Sequence, residues 1–155
     1  MDSAACSFHH LGHTYGPHYY QLHWRFRMMN KDFRISPHFW LGEFVRSDTA
    51  CRQNIDNVLR PEVNHHDALV VINLMRLCNF VLEPLRQHFG QPIRINSGYR
   101  CPALNAAIKG SAKNSLHMQG RAVDIPMHPA WFAYIRDHLP HTELINEGSW
   151  IHVAL

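Results

Sequence analysis

At 155 residues the chain is long enough for one domain with a real core and too short for two comfortable ones. Apolar residues make up 46% of it and charged residues 17%, which excludes the low-hydrophobicity, high-charge composition of a disordered chain. The formal net charge is only +3 at pH 7, and Lys and Arg are scattered, so nucleic acid is not an expected partner.

No stretch approaches the roughly 20 apolar residues of a membrane span, so a soluble domain with no span is expected. The N-terminus lacks the ordered basic, apolar and small-residue segments of a signal peptide, and localisation is left open. Cys6, Cys51, Cys78 and Cys101 lie far apart with no Cys-x-x-Cys pair, which argues against a zinc knuckle or a redox motif and leaves pairing open.

The first 28 residues are rich in His, Tyr and Gly and show neither helical nor strand periodicity. They read as a poorly ordered N-terminal extension, with a single domain over residues 29–155. Their five histidines are too irregularly spaced to make a convincing metal tract. Structure is expected to begin near "FWLGEFVRSDTACRQNIDN", where Phe39, Leu41, Phe44 and Val45 offer an apolar face and Ser47 to Thr49 mark a helix boundary.

From Asp67 to Phe89 the spacing predicts the main core helix. Leu74, Leu77, Cys78, Val81 and Leu85 fall on one stripe, Gly90 and Pro92 close it, and Pro84 predicts a kink or a lost hydrogen bond. "PIRINSGYR" alternates like a half-buried strand before a turn at Ser97-Gly98. "CPALNAAI" reads as a short helix with Pro102 in its first turn, "GRAVDIP" as a strand, "HPAWFAYIRDHL" as a helix, and "TELIN" and "SWIHVAL" as the last two strands. Strands mixed with helices without regular βαβ alternation predict an α+β fold, a small, mainly antiparallel sheet flanked by helices.

Side chains at i and i+2 of a strand share a face, so Ala122 goes with Asp124 and Trp150 with His152, opposite the apolar Val123, Ile151 and Val153. Were these strands neighbours, Asp124 would stand beside His152, and a turn at Gly120 would bring His117 over both. Two imidazoles and one carboxylate suit a catalytic zinc shell with a position left for water. Such a site needs a nearby carboxylate to take the proton of that water, for which Glu147 is the first candidate and Glu143 the reserve. With 14 histidines in the chain, spacing alone equally allows His117 capping a turn, Asp124 accepting backbone hydrogen bonds and His152 satisfied within a strand. Trp150 reads as either core or a neighbour of the site. His65, His66, His128, His138 and His141 read as surface residues.

"INSGYRCPALNAAIKGSAKNSLHMQGRAVDI" followed by "WIHVAL" resembles the zinc D-alanyl-D-alanine carboxypeptidases and the related phage-type peptidoglycan peptidases, which share a hedgehog-like α+β fold. The likeness continues upstream through "LGEFVRSDTACRQNIDN" and "VLEPLRQHFGQPI" and covers roughly residues 38 to 155. The resemblance implies a zinc metallopeptidase binding one Zn²⁺ per chain through His117, Asp124 and His152 and acting on peptidoglycan stem peptides. It makes Arg100 the residue that steadies the oxyanion or a substrate carboxylate, for which a structural salt bridge is the alternative. It makes Ser115 a substrate neighbour, for which a turn or cap is the alternative, and it matches Glu147 loosely to the base. The sequence departs from the family at Leu116, where many relatives carry Gln, and at "IKGS", where Gly-Gly-Ser is common. A non-catalytic zinc-binding interaction module of the same fold is the rival reading, and Glu147 discriminates, because a binder needs no base.

Overall fold

The computed structural model describes residues 33–155, so the expected extension over residues 1–28, with its five histidines and Cys6, lies outside the described residues. A two-stranded antiparallel hairpin, β1 (Arg34–Ser36) and β2 (Phe39–Trp40), runs straight into α1 (Leu41–Val45) and α2 (Asp48–Arg52). Ser47 is the boundary residue: its Oγ accepts the Ala50 N–H at 3.2 Å and caps α2. Leu41 and Phe44 turn inward from α1, as the apolar spacing predicts, while Val45 is only partly buried.

The main helix starts two residues earlier than expected, because Asn64 Oδ1 accepts the His66 N–H at 3.0 Å. It runs as α3 (His65–Leu77), a π-helical segment (Cys78–Leu82) and α4 (Glu83–Phe89), which ends on left-handed Gly90. The π segment answers the question raised by Pro84. Proline has no N–H for the ladder and crowds the preceding turn, and the chain widens by one residue just before it, with Glu83 N–H donating five residues back to Cys78 O. Leu74, Leu77, Cys78, Val81 and Leu85 are all fully buried.

The helical run His65–Phe89, 25 residues with a window of mean hydropathy 1.6, is long and apolar enough by length and composition to cross a membrane. Its polar interruptions hid this in a plain reading of the sequence. In this fold the run is the core helix, with half of that window buried inside the molecule.

The expected strand over residues 93–96 is corrected. Ile93 and Ile95 are buried as the alternation requires, but the segment meets the sheet only through a bridge between Ser97 and Asp124. The next residues are drawn elsewhere: Tyr99 N–H donates to Phe44 O at 2.7 Å, and Gly98 lies so close to Phe44 that a Cβ there would come within 2.7 Å of its backbone.

After α5 (Pro102–Ala107) and a 3₁₀ turn (Leu116–Gln119), the remaining strands form one antiparallel sheet in the order β3 (Ala122–Pro126), β5 (Trp150–Ala154), β4 (Glu143–Asn146), with α6 (Pro129–His138) between β3 and β4 in the chain. Val123, Ile125, Ile151 and Val153 enter the common core with the main helix. The architecture is α+β, small antiparallel sheets packed with helices. His65, His66, His128, His138 and His141 are exposed.

Candidate metal centre

The pairing of β3 with β5 sets the site. Asp124 lies directly opposite His152 in the register, and Ile125 opposite Ile151, so one sheet face carries the polar pair and the other the core. His117 arrives from the 3₁₀ turn, which ends on Gly120 at φ +67° with Arg121 N–H donating to Leu116 O. A Cβ at Gly120 would stand 2.5 Å from Val70 O, so both the backbone angle and the contact with α3 require glycine. Among the described residues, His117, Asp124 and His152 bring one ligand atom each to within 4.8 Å of one another.

The hydrogen bonds around this group point its lone pairs inward. His117 Nδ1 lies 2.7 Å from Gly98 O, and a carbonyl only accepts, so Nδ1 donates and Nε2 is the nitrogen turned to the centre. That Nε2 stands 3.3 Å from Asp124 Oδ1. On the other side His152 Nδ1 lies 2.9 Å from the same oxygen, while its Nε2 lies 3.3 Å from Glu143 Oε2. A neutral imidazole carries one N–H and cannot serve both carboxylates. A second proton on the ring would serve both, and so would a cation at the centre, which two nitrogens and one oxygen would then bind in place of a proton. The donor set fits zinc.

Arg100 closes the far side of Asp124. Its Nη2 donates to Asp124 Oδ2 at 2.7 Å and its Nε to Ser97 Oγ at 2.9 Å. Burial alone would raise the Asp124 carboxyl. In the metal-free protein its contacts with the His117 and His152 rings and the Arg100 charge more than offset this and hold it well below the usual carboxylate range. His152 is raised above the ordinary imidazole value, first by its hydrogen bond to Asp124, against the opposing effect of burial.

The remaining sequence candidates take different places. Ser115 is buried, and its Oγ accepts the His117 N–H at 3.3 Å, the capping role. Glu147 is exposed at the turn between β4 and β5; its backbone N–H donates to Trp150 O at 3.0 Å, and its side chain forms no hydrogen bond among the described residues. Trp150, on the His152 face and opposite Pro126, is 38% exposed and so is not core. Sequence reasoning missed two contributors. Gly98 appears there only as a turn residue, yet its carbonyl sets the His117 tautomer. Asn57 carries no sequence signal of its own, yet its amide donates to Val45 O and Tyr99 O and accepts the Cys101 N–H, which pins the Arg100 segment to the end of α1.

A cavity of about 350 Å³ adjoins Asp124 through Ser97 and Arg100, and Arg46 and Arg52 also line it. A search of the curated proteins returned no match. The family model described as Peptidase M15 matches residues 37–154, well over half of the chain. With this match, and with the His-Asp-His group drawn together as a metal shell requires, the chain belongs to the Peptidase M15 family, the family of the zinc D-Ala-D-Ala carboxypeptidases.

Proposed function

We propose that this protein is a zinc-dependent peptidase that hydrolyses peptide bonds in bacterial peptidoglycan stem peptides, with His117, Asp124 and His152 holding one zinc ion. The observation that carries the reading is the convergence of His117 Nε2, His152 Nδ1 and Asp124 Oδ1 on one point, together with membership of the family. Bound there, zinc would supply Lewis acidity, lowering the pKa of a water and polarising the scissile carbonyl.

The protein's own residues do the rest. Arg100 holds Asp124 Oδ2, which keeps Oδ1 turned to the centre and prevents the carboxylate from rotating. Glu147, in the turn that leads into β5, takes the proton of the attacking water and delivers it to the leaving amine. Arg46 and Arg52, with Arg100 between them and the centre, give the cavity a basic lining suited to a carboxylate of the stem peptide. Ser115 keeps His117 in place through its cap, and a substrate contact from the same hydroxyl is compatible with that role.

The test combines elemental analysis with incubation on purified peptidoglycan. The reading expects close to one zinc per chain and release of new amino groups from the wall. Stoichiometric zinc that survives the double change His117→Ala, His152→Ala would eliminate the site. Zinc-loaded protein that releases nothing from walls of several chemotypes would favour the binding module instead.

A further inference from the structure

We infer that Glu143 is a positioning residue for His152, fixing the ring in the tautomer that bears its proton on Nε2 and turns the Nδ1 lone pair to the metal. The inference rests on the zinc reading above and separates Glu143 from the base. Its first support is register. Ile145 of β4 stands opposite His152, and Glu143, two residues back, shares that face and lies within 3.3 Å of Nε2.

The second support is the contrast with His117. There a backbone carbonyl, Gly98 O, takes the proton on Nδ1 and leaves Nε2 for the centre. His152 enters from the opposite side and uses the opposite nitrogen: Nδ1 points at Asp124 Oδ1, and Nε2 points away to Glu143. Each ring therefore needs an acceptor behind it, and only His117 obtains one from the backbone. β5 cannot supply a carbonyl behind His152, because strand carbonyls lie in the sheet plane and are engaged with β3 and β4 on either side. A side chain from the neighbouring strand fills that need. Glu143 is half exposed, with a side chain 49% accessible, as suits a group that orients a ring from outside without being desolvated itself.

This role and the base role predict different chemistry. Positioning requires only an acceptor oxygen, which the amide of glutamine also has. A base requires a carboxylate.

The full chain with ¹⁵N-labelled histidine is compared as wild type, Glu143→Gln and Glu143→Ala. In the zinc-loaded protein, where the metal takes Nδ1, the proton on His152 Nε2 should exchange slowly with solvent in wild type and in Glu143→Gln, and measurably faster in Glu143→Ala. Zinc affinity, read by chelator competition, should fall by about 10- to 100-fold in Glu143→Ala and by less than about tenfold in Glu143→Gln. Thermal melts of both variants check that the sheet is intact. Unchanged exchange of the Nε2 proton and wild-type affinity in Glu143→Ala would overturn the inference. So would a Glu143→Gln protein that binds zinc normally and has lost hydrolysis, since that is the signature of a base. A wild type that binds no zinc would sink the peptidase reading and the inference with it, whereas a zinc-binding wild type whose affinity is the same in both variants would sink the inference alone.

Discussion

Glu83 and Asp124 are both buried carboxylates, 4% and 7% exposed, and both titrate below their ordinary values although burial alone would raise them. Their neighbourhoods differ in one respect. Around Glu83 the donors suffice: Oε1 accepts from Ser36 Oγ at 2.7 Å and His38 N–H at 2.8 Å, and Oε2 lies 2.8 Å from His38 Nδ1. That acid ties the β1–β2 hairpin to the main helix and has no unfinished bonding. Around Asp124 only Oδ2 is served by a fixed donor, Arg100, while Oδ1 faces two ring nitrogens whose partner nitrogens are already occupied. A buried acid whose donors are all fixed holds a fold together, whereas one whose second oxygen faces two ring nitrogens offers three converging atoms that a cation could share.

The largest expected effect breaks the second neighbourhood. The double change His117→Ala, His152→Ala should take zinc content from near one per chain to near zero and abolish hydrolysis, as elemental analysis and amino-group release would show. Glu83→Ala should leave zinc content untouched. Next comes Glu147→Gln, which keeps the size of the side chain but removes its basicity. Hydrolysis should drop by about 10² to 10⁴-fold with zinc retained, and equal rates in variant and wild type would remove Glu147 from the mechanism.

Glu83→Ala tests the structural member of the pair. It leaves Ser36 Oγ and the His38 N–H without their acceptor, at about 1–3 kcal/mol for each donor that stays buried, so the midpoint of thermal unfolding should fall by roughly 5–10 °C. An unchanged melt would mean that water replaces the carboxylate and that the hairpin does not depend on it.

A smaller effect lies in the pH dependence. Glu83 and Asp124 are depressed in the folded state, so the stability they contribute is present above their ordinary values and lost as pH falls through the lower folded ones. His152 is raised, so in the metal-free protein its contribution is present below the ordinary 6.5 and lost as pH rises through the raised value. Zinc competes with that proton, so over the same interval the zinc-loaded protein should become more stable relative to the metal-free one. Melting curves recorded with zinc and with chelator should therefore diverge as pH increases above neutrality, and parallel curves would count against His152 as a ligand. The smallest effect is expected from Arg46→Ala with Arg52→Ala. A several-fold rise in KM for stem peptides with free carboxylates, and little change for amidated ones, would assign the basic cavity to substrate.

Periodicity and turn chemistry were legible from the chain alone. The stripe from Leu74 to Leu85, the caps at Ser47 and Gly90, the proline-led helix at Pro102 and the alternation around Asp124 and His152 are local patterns, and each has its local cause in the fold. Where the segment over residues 93–96 was misread, the alternation was genuine and only the partner strand was missing. The consequence of Pro84 was foreseen as a disturbance, but its form as a π turn depends on how the surrounding core holds the helix on course.

Sequence by itself determined which face of each strand Asp124 and His152 occupy, because the two-residue repeat of a strand is a property of the backbone. It also determined that Gly120 permits the turn after His117, because its positive φ is costly for other residues. Tertiary structure alone decided which nitrogen of each histidine looks inward, that Arg100 divides its donors between Asp124 Oδ2 and Ser97 Oγ, and that Glu143 rather than Glu147 stands behind His152. These are contacts between residues 9 to 28 positions apart. Local periodicity assigns a side chain to a face, whereas strand order and register assign it a neighbour, and only the packed core fixes those.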